Sequence, residues 1–129
     1  MNKASVGILK TKDGEKYLLL LRPKDDDTIK DKWTFVAGTI DEGETPLETI
    51  KREVNEELQF DSNKIIFTYI GKAMSDTGVE LHYFIGTMDE EVPFLNDENV
   101  DWGWFRLNKL PSNTFEESRQ LLNTLFGNE

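Results

Sequence analysis

The sequence contains no cysteine among its 129 residues, and this absence excludes several kinds of chemistry. Disulfide frameworks, zinc ribbons, iron–sulfur clusters and thiol nucleophiles all depend on cysteine side chains. Long hydrophobic runs are also missing: the longest strongly apolar run covers only residues 17–21, whereas a membrane-spanning helix needs roughly 20 residues. The first ten residues lack the basic start and apolar stretch of a signal peptide. These absences predict a cytoplasmic protein without a membrane partner.

Basic residues are outnumbered, with 15 Lys+Arg against 25 Asp+Glu and a formal net charge of −10. This charge argues against attraction to a nucleic-acid backbone or an anionic membrane, so we expect no stable binding to nucleic acid. A content of 37% hydrophobic and 11% aromatic residues is enough to fill a core. The length predicts one domain over residues 1–129. We expect a monomer or a homodimer. The acidic excess serves general solubility or holds a cation.

Apolar runs and turn signals predict six strands and two helices in the order β-β-β-α-β-β-β-α. The strands are predicted over residues 4–11, 16–22, 33–36, 65–74, 79–88 and 102–107. A Gly- and acid-rich turn is predicted over residues 37–44. This order favours an α/β (α+β) fold in which a mixed sheet lies between a helix on either face.

The central helix is predicted over residues 45–58, where Thr45 and Glu48 have the spacing of a capping box. Its apolar side chains recur at intervals of three and four residues, at Leu47, Ile50, Val54 and Leu58. Thr114 and Glu117 predict a second capping box at the start of the last helix.

Three glutamates crowd one side of the central helix. At about 100° per residue, Glu53, Glu56 and Glu57 share one sector, and Glu57 borders the apolar stripe. Carboxylates at this spacing repel one another, and Arg52 can compensate only one of them. A hard cation such as Mg²⁺ would compensate the others, since it prefers carboxylate oxygens. From the helix alone, a metal site and a solvated acidic face remain equally open.

The turn before the helix adds a longer pattern. The spacing follows the form G-x5-E-x7-R-E-U-x-E-E-x-G-U, where U is a bulky apolar residue, and eight of its nine specified positions agree: Gly38, Glu44, Arg52, Glu53, Val54, Glu56, Glu57 and Phe60. This segment resembles the Nudix box, and the predicted strand–turn–helix context is the one that the box requires. Gln59 stands where the family has a glycine. The preceding Trp33 to Gly38 segment is similar to the family's W-x-F-P-G-G, with Val36 for proline and Ala37 for the first glycine.

The resemblance implies a Nudix-type αβα sandwich that hydrolyses a nucleoside diphosphate linked to another group. It implies that Mg²⁺ or Mn²⁺ is held by the Gly38 carbonyl with Glu53, Glu56 and Glu57. Arg52 would orient these carboxylates.

It further implies that one ligating glutamate, for which we choose Glu53, takes the proton from the attacking water. Glu44 would support Glu53 or bind a metal through water. In many family members a later loop supplies the base or an additional ligand, and Glu98 in residues 96–99 is the alternative candidate here.

Substrate contacts are assigned to three residues. Arg22 could bind a phosphate, although an ordinary surface arginine is an equal alternative. Trp33 and Phe35 could stack on a base, as could Tyr83 and Phe84, although aromatic residues in strands are more often part of the core.

The substrate class is approached by elimination. Family subgroups that act on ADP-ribose or dinucleoside polyphosphates tend to carry Pro or Tyr beyond the box, where this chain has Ser75 to Gly78. The resemblance therefore favours a nucleoside triphosphate pyrophosphohydrolase that releases a monophosphate and pyrophosphate. The alternatives are hydrolysis of dinucleoside polyphosphates, ADP-ribose or capped RNA, or a non-catalytic module that binds nucleotides.

Overall fold

Residues 2–127 are described by a computed structural model, in which seven strands form one mixed sheet. The strands are β1 Lys3–Thr11, β2 Lys16–Leu21, β3 Trp33–Thr34, β4 Val36–Thr39, β5 Ile66–Met74, β6 Glu80–Met88 and β7 Asp101–Arg106. The helices are α1 Pro46–Leu58 and α2 Glu116–Phe126, with short 3-10 helices at Ser62–Lys64 and Leu107–Lys109.

Strand β1 lies at the centre of the sheet and explains its mixed character. It pairs in parallel with β6 along its whole length and antiparallel with β4 through residues 4–7. Its far end continues into the hairpin with β2, at the pair formed by Lys10 and Tyr17. Strand β2 then pairs with β3 and β7, and β5 closes the other side by pairing with β6.

The two helices cover opposite faces of the sheet. The α1 side chains Ile50, Val54 and Leu58 are fully buried against one face, whereas Leu47, the first member of the predicted stripe, is exposed in the first turn. On the other face, Leu122 of α2 packs in a second cluster that includes Phe35. Each fully buried Leu, Ile or Val contributes roughly 1.5–3 kcal/mol, so packing of the α1 stripe holds the helix in place. The αβα arrangement predicted from the sequence is confirmed.

The start and end of α1 also agree with the sequence. The Thr45 hydroxyl accepts the Glu48 N–H at 3.1 Å, and the Glu48 carboxylate accepts the Thr45 N–H at 2.9 Å. At the other end Gln59 adopts the left-handed conformation, with φ 57° and ψ 33°. The left-handed conformation of a residue with a side chain costs on the order of 1 kcal/mol of stability. This cost is expected at the position where the family has glycine.

The turn predicted from residue 37 is wrong in its first part. Residues 37–39 belong to β4, because they continue the antiparallel pairing with β1 as far as Thr39 and Ala4. Backbone hydrogen bonds to the central strand therefore override the turn preference of Gly38. The strand predicted over residues 33–36 is correspondingly divided between β3 and β4.

The capping box predicted at Thr114 and Glu117 is also wrong. The Thr114 hydroxyl donates to the Pro111 carbonyl at 2.7 Å, so it is already committed to the preceding turn. Helix α2 begins after Phe115 without a side-chain cap. Glu117 is thereby left without a capping role. Within residues 2–127, neither α1 nor α2 has the length and apolar character needed to cross a membrane.

Candidate metal centre and adjoining cavity

Three carboxylates converge at one end of the sheet. Glu53 and Glu57 come from α1, and Glu98 comes from the loop before β7; one oxygen of each lies within 4.8 Å of the others. Glu57 is completely buried and Glu53 nearly so, whereas Glu98 is exposed. The structure therefore brings together two of the three helical acids predicted as ligands and adds the acid predicted as an alternative base.

Glu56 lies apart from this cluster. Its side chain is 52% exposed, and its Oε1 atom accepts a hydrogen bond from Arg52 Nη1 at 3.3 Å. The three glutamates share one angular sector of the helix, as predicted, but they differ in burial. Glu53 and Glu57 are buried because the edge of the sector nearest the apolar stripe faces the sheet.

Glu57 is the most informative member of the cluster. Its Oε1 atom accepts a hydrogen bond from Asn99 Nδ2 at 2.9 Å, while its Oε2 atom is buried and meets no donor among residues 2–127. Burial first, and then the neighbouring Glu53 carboxyl, raise the pKa of Glu57 to about 9. A buried carboxylate oxygen without a partner is costly, and a divalent cation relieves that cost. This donor set fits Mg²⁺ or Mn²⁺.

Strand β4 brings its backbone directly against Glu53. A Cβ atom added to Gly38 would lie 2.1 Å from both the Cδ and Oε2 atoms of Glu53. Only glycine permits this approach. The neighbouring Ala37 belongs to the opposite face of the strand, where it packs in the α2-side cluster, so its departure from the family pattern does not affect the carboxylates.

Arg52 binds the acidic side chains around it. Its Nε and Nη2 atoms donate to the two carboxylate oxygens of Glu44 at 2.7 and 2.9 Å. Its Nη1 atom donates to Glu53 Oε2 at 2.9 Å, and Nη2 reaches the Thr39 carbonyl at 3.1 Å. A planar guanidinium in this arrangement fixes the position of the Glu53 carboxylate.

Glu44 is fully engaged by its neighbours. Besides the Arg52 fork, its Oε1 atom accepts the Asp41 N–H at 3.0 Å and the Thr49 hydroxyl at 2.9 Å. Chiefly because of the Arg52 hydrogen bonds, the pKa of Glu44 falls to about 2. These contacts favour support of Glu53 through Arg52 over binding of a metal.

Asn99 is a contributor for which the sequence predicted no role. It is buried, and besides its bond to Glu57 its Oδ1 atom lies 3.5 Å from Nη1 of Arg22. Arg22 in turn donates to Asp26 at 3.2 Å, and its Nε atom is buried without an acceptor in the described residues. The proximity of Asn99 to Glu98 in the sequence was the available signal, but its burial depends on how the loop folds.

A cavity of about 150 Å³ lies on the other face of the sheet, under α2. Its apolar wall includes Val6, Phe35, Ala37, Leu81 and Leu121, and its polar groups include Arg22, Tyr83 and Glu117. Ala37 and Gly38 are adjacent in β4 but face opposite sides of the sheet, so the strand separates the cavity from the carboxylates. Arg22 connects the two sites, because it lines the cavity and lies 3.5 Å from Asn99.

The aromatic residues considered for base stacking have different positions. Phe35 and Tyr83 line the cavity. Trp33 instead packs edge-on against Phe105, with ring centroids 5.2 Å apart, and Phe84 is buried in the α1-side core.

Without metal, the protein is expected to lose stability as the pH rises from about 4.5 to about 9, the unfolded and folded values of Glu57. In this window the unfolded state has released the Glu57 proton and the folded state keeps it, so the free energy of unfolding falls by at most about 1.4 kcal/mol per pH unit. Mg²⁺ replaces that proton, so its stabilising effect should grow with pH. Thermal unfolding with EDTA and with Mg²⁺ across this range measures both effects.

The matched control is Glu57→Gln, whose amide oxygen can still accept the Asn99 hydrogen bond but does not titrate. We expect this variant to show a flatter pH dependence in EDTA and a weaker response to Mg²⁺. An identical pH profile in the two proteins would contradict the assignment to Glu57.

Comparison with known families shows that the model of the NUDIX domain matches residues 1–125. A dihydroneopterin triphosphate diphosphatase of Haemophilus influenzae is 31% identical over 126 residues, an alignment that covers 84% of this chain and 76% of that protein.

Solved structures show the same fold. The E. coli dihydroneopterin triphosphate pyrophosphohydrolase superposes with a TM-score of 0.75 at 19% identity, covering 98% of this chain and 96% of that one. A C. elegans Ap4A hydrolase superposes with a TM-score of 0.78 at 19% identity, with 96% of each chain covered.

Proposed function

This chain belongs to the Nudix family of pyrophosphohydrolases, which act on nucleoside diphosphate derivatives, and we propose that it is a Mg²⁺-dependent triphosphate pyrophosphohydrolase. Its products would be a monophosphate and pyrophosphate, and its location would be the cytoplasm. The observation that carries the proposal is the cluster of Glu53, Glu57 and Glu98 around a buried carboxylate oxygen that no donor satisfies in residues 2–127.

The proposed cation ligands are these three carboxylates together with the Gly38 backbone. Glu56 is kept as a proposed ligand only because the box implies it. Its side chain accepts a hydrogen bond from Arg52 and does not point into the cluster. A bound divalent cation supplies charge neutralisation for the diphosphate oxygens.

Glu53 is proposed as the proton acceptor. Its Oε2 atom is held by Arg52 at 2.9 Å, so Oε1 is the atom that takes the proton when water attacks phosphorus and the bond to the bridging oxygen breaks. Glu98 is the alternative base, since it belongs to the same cluster and is reached by solvent. Arg22, with an uncommitted Nε donor, is proposed to bind a phosphate oxygen.

Two triphosphate substrates are supported by different observations. A nucleoside triphosphate is favoured by the absence of the marks of other subgroups around Ser75. Dihydroneopterin triphosphate is the second candidate, because the relative that is 31% identical is named for its hydrolysis. Both would yield pyrophosphate from the same type of bond.

The test is a substrate panel with Mg²⁺ and with EDTA. It includes ordinary and oxidised nucleoside triphosphates, dihydroneopterin triphosphate, a dinucleoside polyphosphate, ADP-ribose and capped RNA. We expect pyrophosphate release from a triphosphate that stops with EDTA and returns with excess Mg²⁺. Preferred cleavage of any other class would overturn the substrate assignment. Nucleotide-dependent stabilisation without turnover would instead indicate a binding module.

A further inference from the structure

The cavity under α2 has the size and lining to receive one six-membered ring, such as the pyrimidine ring at the edge of a bicyclic base. Its volume is about 150 Å³, and an apolar cavity of about that size in another protein admits benzene. Phe35, Leu81 and Leu121 form apolar walls, while the Thr34 and Ser118 hydroxyls at its border are bonded to each other at 2.7 Å. Of the remaining polar groups at the cavity, Arg22 is the one proposed above to bind phosphate, which leaves the Tyr83 hydroxyl and the Glu117 carboxylate to select a ring.

Glu117 stands in the first turn of α2 with its side chain at the cavity. It is exposed, and it has neither a hydrogen bond nor an ion pair with any side chain in residues 2–127. Glu117 and Tyr83 line the same cavity. Burial, followed by the Glu117 charge, raises the pKa of the Tyr83 hydroxyl. The adjacent Glu116 differs, because its carboxylate accepts a hydrogen bond from Gln120 at 3.3 Å on the outer surface of the helix.

We propose that Glu117 determines the specificity of the site by binding rings that present two adjacent N–H donors. This is the 2-amino-4-oxopyrimidine edge, which guanine and pterins share. The inference rests on the proposed function and narrows it to triphosphates that carry this edge.

The selection follows from hydrogen-bonding chemistry. A carboxylate only accepts hydrogen bonds, and two parallel donors satisfy both of its oxygens. Adenine and cytosine present an amino donor beside a ring-nitrogen lone pair, which would repel the second oxygen. Uracil and thymine present one N–H between two carbonyl oxygens, which is equally unfavourable. The same edge also unites the two substrates proposed above, since dihydroneopterin is a pterin.

The experiment compares the wild-type protein with Glu117→Gln and Glu116→Gln for hydrolysis of GTP and ATP. We expect the wild type to favour GTP, and Glu117→Gln to lower that preference in kcat/KM by about ten- to a hundredfold, the range for hydrogen bonds to a charged group. The loss should lie in KM, with kcat for GTP little changed. Glu116→Gln removes the same charge from the same helical turn and should keep the wild-type preference.

A binding measurement separates this inference from the proposed function. Calorimetric titration with GMP and AMP requires no hydrolysis. GMP should bind to the wild type at least about tenfold more tightly than AMP does. Triphosphate hydrolysis with equal binding of GMP and AMP would overturn the role of Glu117 and leave the proposed function intact. Selective GMP binding that Glu117→Gln abolishes, without hydrolysis of any triphosphate, would support the role and overturn the proposed function.

Discussion

The Glu53→Gln variant is expected to hydrolyse its triphosphate at least about a hundredfold more slowly than the wild type. Glutamine keeps the size of the side chain but cannot accept the proton from water. It also removes the negative charge that Arg52 contacts at 2.9 Å. Initial rates of pyrophosphate release at saturating substrate, measured over a range of Mg²⁺ concentrations, give the change in turnover and the change in metal requirement separately.

Two further variants are needed to interpret that result, one as a control and one to test the alternative base. Glu48→Gln lies on the same helix but in the capping box, where the glutamine amide oxygen can still accept the Thr45 N–H. It loses only a negative charge at the helix N-terminus, so it should lower stability by less than about 1 kcal/mol and leave turnover unchanged. Glu98→Gln tests the alternative base. Near-wild-type turnover in Glu53→Gln, combined with inactivity of Glu98→Gln, would transfer the role of base to Glu98.

Gly38→Ala is expected to reduce turnover by a similar factor, at least about a hundredfold, although it removes no functional group. The added methyl would lie 2.1 Å from the Glu53 carboxyl group, so either the side chain leaves Arg52 or β4 shifts away from α1. Overpacking of this kind costs about 1–3 kcal/mol in stability. Activity assays combined with thermal unfolding, with and without Mg²⁺, measure both consequences.

Gly14→Ala is the matched control for Gly38→Ala. Gly14 lies in the β1–β2 hairpin with φ +75° and open space around its Cα, so alanine there strains the backbone by about 1 kcal/mol without touching the carboxylates. We expect it to lower stability and to keep full activity. Wild-type turnover and Mg²⁺ response in Gly38→Ala would show that the close approach of β4 to Glu53 is dispensable.

Local spacing explains what could be predicted. The capping box at Thr45, the apolar stripe of α1 and the angular sector of its glutamates depend on residues three or four positions apart. The false capping box at Thr114 shows the limit of such reasoning, since a turn carbonyl at Pro111 competes for the same hydroxyl. Spacing alone does not reveal which of two local partners a side chain selects.

The partners of the helical acids depend on distant segments. Glu98 and Asn99 lie about forty residues beyond Glu57, and they reach it because the strand that follows them, β7, pairs with β2. The burial of each acid could not be predicted from spacing either. Glu56 and Glu57 are adjacent, yet Glu56 is exposed and Glu57 is buried against the sheet.

The absence of cysteine and the net charge of −10 excluded thiol and zinc–thiolate chemistry and argued against polyanion binding without a cation. The sequence by itself determined the fold class and the helix that carries the acids, because those properties rest on short-range periodicity, and its resemblance to the Nudix box indicated the family. Only the tertiary structure decided that Glu57 is sealed from water, that Gly38 touches Glu53 and that Glu117 borders an apolar cavity. Each of these depends on the packing of segments far apart in the chain, and packing sets the desolvation and distances on which binding and catalysis depend.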